Sequence, residues 1–414
     1  MHKKRVVVTG MGLVSPLGNN LDDFWSNISQ GVSGIRPITH FDSTQFPTKL
    51  AGEVVDYTPS HFIDLKKSRR MDRYVQFALH AAIQAFSDAK LTLGTFDPYR
   101  AHIYIGTATA GQGWVFDQYE TFREKGYRKL NPFTAASTFP NAVSSNIAIE
   151  FGIKGRCDTI SSGCASSLNS VGYGYDAIQA DRADLVFVGG SEALLYAPIF
   201  GSYSIARVLS TRFDEPARTP RPFDRDRDGT ILSEGAGILI LESLDHALSR
   251  GATIHAEVLG AGFTSDAFHM IAHEPSGIEM AVAMNMALQS ANVRSTDIDY
   301  VHLHGMGDQS IDRIEVLAAK KIFGDHAQNM SFSAIKSMIG HLQGASGAVE
   351  LIATILAIRN QLVPPTINLD NPDVDLDLNF TAKIAEHKLI QKAMVNTLGF
   401  GGKNASVIIG EYDV

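Results

Sequence analysis

The chain has 414 residues, 44% of them hydrophobic and 19% charged, with a formal net charge of −8. That length can bury a large core and suggests two or three domains, while the acidic balance gives no electrostatic reason to expect nucleic acid, whose binders carry basic patches. Two cysteines, Cys157 and Cys164, make neither a disulfide framework nor a four-ligand metal site, so no metal and a reducing, cytoplasmic setting are expected.

In chain order, Met1-His2-Lys3-Lys4-Arg5 is basic like a signal peptide, but the apolar run that follows is broken at once by Gly10, Gly12 and Pro16. It reads as a first β-strand and not as an export signal. No apolar stretch approaches the roughly 20 residues of a membrane helix. Lys66-Lys67-Ser68-Arg69-Arg70 is a candidate dock for an acidic partner, and a solvated helix face explains it equally well. A long insertion at about 111–140 carries Trp114, Phe116, Tyr119, Phe122 and Tyr127, spaced too irregularly for one amphipathic face. Then comes Ile160-Ser161-Ser162-Gly163-Cys164-Ala165-Ser166-Ser167-Leu168, a strand-to-helix junction with the helix running to about Ala180. A helix start favours thiolate over thiol, so covalent catalysis is expected, although a lone cysteine is more often a small buried hydrophobe.

Two later segments raise that expectation. Tyr300-Val301-His302-Leu303-His304-Gly305-Met306-Gly307-Asp308 and Ser333-Ala334-Ile335-Lys336-Ser337-Met338-Ile339-Gly340-His341 each set a histidine in a glycine-rich turn after an apolar run. A cysteine with two imidazoles at strand ends is what acyl transfer needs: a nucleophile, and groups that move protons or donate to developing negative charge. Residues 311–320 between them read as a helix with one exposed face.

The pattern is stated twice along the chain. Val6 to Gly12 corresponds to Ala256 to Gly262, Ala101 to Gly106 to Asp299 to His304, the Cys164 junction to the Lys336 to His341 junction, and Ala236 to Leu241 to Ala405 to Ile409. Such a long-period repeat is the signature of a duplicated α/β fold with helices between and outside two sheets. Its halves are expected at 1–253 and 254–414.

Several blocks then match one family independently: Arg221-Pro222-Phe223-Asp224, Asp226-Arg227-Asp228-Gly229, Glu234-Gly235-Ala236-Gly237, Lys336 to Gly347, Pro364-Pro365-Thr366-Ile367-Asn368-Leu369 and Gly399-Phe400-Gly401-Gly402-Lys403-Asn404. Nearly end to end, the chain resembles an elongating β-ketoacyl-acyl-carrier-protein synthase of the thiolase superfamily. The resemblance implies a five-layered α-β-α-β-α fold and no bound cofactor, with substrates carried on the phosphopantetheine of acyl carrier protein. It also implies a homodimer, or a heterodimer with a chain-length-factor subunit, and no membrane partner. Cys164 would accept the acyl group, and His304 and His341 would stabilise the enolate formed when a malonyl thioester loses carbon dioxide. Lys336 and Glu315 would join the supporting network, with a surface position as the alternative for Glu315. Backbone N–H groups of Cys164 and Phe400 would form the oxyanion hole. The insertion would serve dimer contact and acyl pocket, and Thr109, Phe133, Thr134, Tyr203, Met306, Asp308 and Phe400 would line that pocket or the pantetheine tunnel.

Departures from the family pattern bear on substrate. Met306 and Asp308 stand where housekeeping fatty-acid synthases carry two hydroxyl residues that bind pantetheine. Thr109 replaces an aliphatic pocket residue, and Thr134 an aromatic one. A hydroxyl lining suits carbonyl-bearing or conjugated chains better than alkyl tails. The expectation is therefore a type II polyketide or polyene ketosynthase, with housekeeping fatty-acid elongation as the alternative. A thiolase would need a second cysteine near the C-terminus, and a chain-length factor would lack the nucleophile.

Overall fold

The computed structural model describes residues 3–413, so Met1 and His2 of the basic N-terminus lie outside the described residues. Ten strands form the main sheet: β1 (Val6–Val14), β2 (Ala101–Gly106), β3 (Cys157–Ile160), β4 (Leu185–Glu192) and β5 (Gly235–Ser243), then β6 (Ala256–Ser265), β7 (Tyr300–His302), β8 (Ser331–Ser333), β9 (Lys392–Gly399) and β10 (Lys403–Gly410). The principal helices are α1 (Arg73–Asp88), α2 (Gln112–Lys125), α3 (Ala142–Phe151), α4 (Ser166–Gln179), α5 (Ala197–Ile205), α6 (Ile278–Ala291), α7 (Gln309–Phe323) and α8 (Ser346–Asn360).

Across the sheet the order is β3-β2-β4-β5-β1 followed by β6-β10-β9-β7-β8. Each half thus repeats the same five-strand order. Each also has the same senses, two antiparallel pairings beside the seam and two parallel ones beyond it. The two five-stranded sheets expected from the sequence are linked edge to edge by a short antiparallel seam of Val6, Val7 and Val8 with Val258, Glu257 and Ala256. The join is short because β1 and β6 meet only at their N-terminal ends.

Three core clusters separate the layers. The central one holds α4 and α8, and two outer ones hold α1 with α3 and α6 with α7. Ser346 through Ile358 of α8 are all buried, as a helix enclosed on every side requires. The repeated glycines have a steric cause. A Cβ on Gly10 or Gly12 would lie 2.2 or 2.1 Å from carbonyls of Ala85 or Ala81 in α1, and one on Gly260 or Gly262 would lie 2.6 or 2.1 Å from Ala287 or Ala283 in α6. Both halves therefore use the same glycine pair to seat an outer helix against a strand.

The insertion presents no single amphipathic face. It opens with α2, a 14-residue helix in which only Gly113 is buried. Among the described residues no helix is long and apolar enough to cross a membrane, and no group of three or more His, Cys, Asp or Glu residues could hold a metal ion.

Candidate active site

The two equivalent strand-turn-helix units face each other at the centre. Cys164 follows Gly163, at φ +62°, just ahead of α4, and is 5% exposed. His341 lies in the turn before α8, where its N–H donates to Ile231 O at 2.7 Å and its carbonyl accepts from Ser233 N at 3.0 Å. That turn brings His341 Nε2 to 3.1 Å from Cys164 Sγ. Gln343 Oε1 is 3.2 Å from the same sulfur and accepts from the thiol.

The helix start does not make Cys164 a resting thiolate. Burial dominates and pushes the thiol up to about 12, against the opposing charge of Lys336 and a hydrogen bond from the Phe400 N–H. Cys164 at rest is therefore a neutral thiol. His341 Nδ1 meets the Ser346 hydroxyl at 3.0 Å. A hydroxyl can donate or accept, so either tautomer of His341 is satisfied.

His304 stands across from His341, with ring centroids 5.2 Å apart at 90°. Lys336 Nζ donates to His304 O at 2.7 Å and to His304 Nδ1 at 3.2 Å, and pairs with Glu350. An ammonium on Nδ1 fixes the Nε2–H tautomer, and His304 Nε2 is buried without a partner among the described residues. Burial, reinforced by Lys336, keeps both imidazoles well below their ordinary value, so both rings are neutral at pH 7. Burial pushes Glu350 up, opposed by Lys336.

The turn carrying His304 rests on carboxylates from α7. Glu315 accepts from His304 N at 2.7 Å and Gly305 N at 3.0 Å, and Asp312, one turn earlier, accepts from Met306 N at 3.0 Å and Gly307 N at 3.2 Å. Burial outweighs these donors and raises Glu315 to about 8 and Asp312 to about 6. Glu315 is fully buried, so the surface position considered for it does not occur.

On the other side, the Gly399–Gly402 turn closes over Cys164. A Cβ on Gly399 would lie 3.0 Å from Cys164 N, which is why that turn approaches so closely. Phe400 stacks on Tyr203, centroids 6.1 Å apart. From Cys164 a cavity of about 580 Å³ runs between Thr109, Gln112, Phe116, Ile199, Tyr203 and Phe400. Met306 borders the narrow slot between Cys164 and His341.

Not every expected pocket residue is there. The Thr109 hydroxyl, though beside the cavity, donates to Glu192 at 2.5 Å, so it is not a free hydroxyl facing an acyl chain. Asp308 caps α7 by accepting from Ser310 N and Ile311 N, each at 2.9 Å. Thr134 donates to Asn131 O at 2.6 Å. Phe133 lies under the Arg70 guanidinium, 4.7 Å from its centroid, and lines a separate groove of about 610 Å³ with Phe139 and Ile149. In the basic run, Lys67 is paired with Glu150 at 2.9 Å.

Sequence reasoning passed over four groups. Glu192, fully buried, accepts from Ala108 N, Thr109 N and Gly344 N at 2.7, 3.0 and 3.1 Å, tying the cavity wall to the turn after His341. Gln343, Asp312 and Glu350 are the others. A signal existed for two of them, since Glu192 ends an apolar strand and Glu350 interrupts the apolar run of α8.

A duplicated five-layer fold with a cysteine and two neutral imidazoles at its centre defines a thiolase-like acyl-condensing enzyme. Family profiles agree: "Beta-ketoacyl synthase, N-terminal domain" matches residues 3–247 and "Beta-ketoacyl synthase, C-terminal domain" residues 255–370. The chain belongs to the β-ketoacyl synthase family, the acyltransferases called ketosynthases. It is 39% identical over 409 residues to 3-oxoacyl-[acyl-carrier-protein] synthase 2 of Coxiella burnetii, covering 99% of each chain. In structure it is similar, with TM-score 0.92, to a type II polyketide synthase acyl carrier protein in complex with its ketosynthase bound to the hexaketide, at 32% identity over 99% of this chain and 100% of the other. It is equally similar to the ishigamide ketosynthase/chain length factor, with TM-score 0.92, 34% identity and full coverage of both chains.

Proposed function

We propose that this chain extends carrier-bound acyl groups by decarboxylative condensation in the manner of relatives named 3-oxoacyl-[acyl-carrier-protein] synthase 2. The observation that carries the reading is the Cys164 thiol 3.1 Å from His341 Nε2, with the unpartnered His304 Nε2 beside it. Cys164 sulfur attacks the acyl thioester of a carrier phosphopantetheine as its proton passes, by way of His341, to the departing pantetheine thiol. The oxyanion formed meets the backbone N–H groups of Cys164 and Phe400. Malonyl carrier then enters and its C–C bond breaks, releasing carbon dioxide. The enolate oxygen accepts from Nε2–H of His304 and His341, both neutral and therefore donors that leave no net charge behind. The enolate carbon attacks the Cys164 thioester, the C–S bond breaks, and the thiolate takes up a proton.

Lys336 and Glu350 act through His304 by holding its tautomer, and Glu315 by fixing the backbone of its turn. The residues bind no cofactor in this scheme, since phosphopantetheine arrives with the carrier. Exposed Lys66 and Arg69 are the candidate carrier contacts. The open edge of β3 and the groove at Phe133, Phe139 and Ile149 fit a second copy or a chain-length-factor subunit, through which Phe133 and Thr134 would reach an acyl cavity. Free Cys157 and Cys164 suit a cytoplasmic setting.

For the pathway, the name shared by the 39%-identical relative supports fatty-acid elongation over the polyketide expectation. The engaged hydroxyl of Thr109 removes one argument for the latter. A polyketide or polyene setting remains a second reading because Gln112, Tyr203 and Gln343 give the cavity polar groups. The test is competition between saturated and β-keto or polyenoyl carriers for Cys164, read by intact mass. A clear preference for long saturated chains selects fatty-acid elongation, and the opposite selects the second reading. No adduct on Cys164 from any carrier would refute the function itself.

A further inference from the structure

The condensation leaves Gln343 without a role, although it touches the nucleophile. Its backbone sits in the left-handed region at φ +47°, a conformation that costs a non-glycine residue free energy and persists only where the surroundings impose it. Here they do. The next residue, Gly344, donates to Glu192 at 3.1 Å, and a Cβ on it would lie 2.5 Å from Ala108 N, so the turn is clamped to the cavity wall. The clamp sets the Gln343 side chain against Cys164 Sγ, beside the sulfur's contact with His341. Only 3% exposed, it borders both the slot at Cys164 and the 580 Å³ cavity, and a chain carried on Cys164 must pass it.

Its amide has one partner, the Cys164 thiol on Oε1, and Nε2 makes no hydrogen bond among the described residues. Acylation removes the S–H, so the amide then loses its only partner. An amide in contact with the sulfur reaches only the first carbons of a bound chain. Beside an alkyl chain its N–H groups face methylenes and stay unpaired. Beside a chain with oxygen on the β-carbon they have an acceptor.

We propose that Gln343 is a specificity-determining residue whose side-chain N–H donates to the β-oxygen of an acyl group on Cys164, admitting 3-oxo and 3-hydroxy chains alongside alkyl ones. The proposal rests on the reading of Cys164 as the acyl acceptor. The experiment loads full-length enzyme from hexanoyl and 3-oxohexanoyl carrier protein and measures both acylation rates on Cys164 by intact mass. Gln343→Leu should lower the ratio of 3-oxohexanoyl to hexanoyl loading by roughly tenfold or more, the behaviour of a polar site stripped of its hydrogen bond. Gln343→Met, closer in shape, should lower it too, and decides the matter if the leucine variant does not fold. A ratio within about twofold of the unmodified enzyme in a folded variant would overturn the proposal while leaving the condensation intact. Failure of the unmodified enzyme to load from either donor would overturn both.

Discussion

Replacing Lys336 by Met strands Glu350. Both side chains are fully buried and paired, and Glu350 Oε2 has no other partner among the described residues. Breaking one side of a buried ion pair costs about 3–5 kcal/mol, a large part of the roughly 5–15 kcal/mol that holds a typical domain together. The pH dependence has a definite sign. With the ammonium gone nothing opposes the burial that raises Glu350, so its folded value lies above the ordinary 4.5. The folded state then keeps a proton that the unfolded chain has released, and stability falls as pH rises above that value. Urea denaturation should therefore show Lys336→Met less stable at pH 8 than at pH 5. The double variant Lys336→Met, Glu350→Leu exchanges the pair for apolar groups and should recover most of the loss. It should not recover malonyl decarboxylation, because His304 Nδ1 still lacks the donor that fixes its tautomer. A double variant releasing carbon dioxide at the unmodified rate would refute the assigned role of Lys336, and a single variant equally stable at both pH values would refute the burial argument.

Cys164→Ala should remove all acyl adducts seen by mass spectrometry while circular dichroism stays unchanged, and a stable adduct on that variant would sink the nucleophile. His304→Ala and His341→Ala should each suppress carbon dioxide release from malonyl carrier. In the unmodified enzyme, that rate should show no titration near 6.5, since both rings are held well below that value. Glu315, raised from 4.5 to about 8, takes up a proton on folding, so its contribution is lost as pH rises through that window. Glu315→Gln should flatten this part of the stability profile measured by thermal denaturation. Gly399→Ala places a Cβ 3.0 Å from Cys164 N and should cut acyl loading more than tenfold, about 1.4 kcal/mol of transition-state stabilisation, with the melting temperature little changed.

The repeat was legible because its causes are local. Gly10 and Gly12, like Gly260 and Gly262, mark where a helix lies on a strand, and that requirement leaves its trace in the residue itself. Cys164, His304 and His341 were legible because each sits in a glycine-flanked turn at a strand end. What holds them was harder to see. Glu192 holds Gly344 across 152 residues of chain and Gln343 meets Cys164 across 179, and nothing near either in the chain signals that distant partner. The ionisation of Cys164 was misjudged for a related reason: a helix start is visible in sequence, but the burial that outweighs it depends on the whole fold. Thr109 shows the same limit, since its position beside the cavity was readable and the direction of its hydroxyl was not.

Duplication has left the two copies with separate inheritances. The buried ionisable groups His304, Glu315, Lys336, His341 and Glu350 all lie beyond the β1–β6 seam, whereas the walls of the cavity at Cys164 come mainly from residues 108–116 and 198–206. On the proposed function, substitutions at 198–206 should retune which chain is accepted without touching the turn that carries His341, whereas those at Ala108 or Thr109 would also disturb the Glu192 clamp on Gly344. Ile271, Gln343 and Phe400 are the exceptions, contributed to the cavity by the later copy. On the proposed function, product range could drift through the 198–206 wall while the condensing chemistry stays fixed.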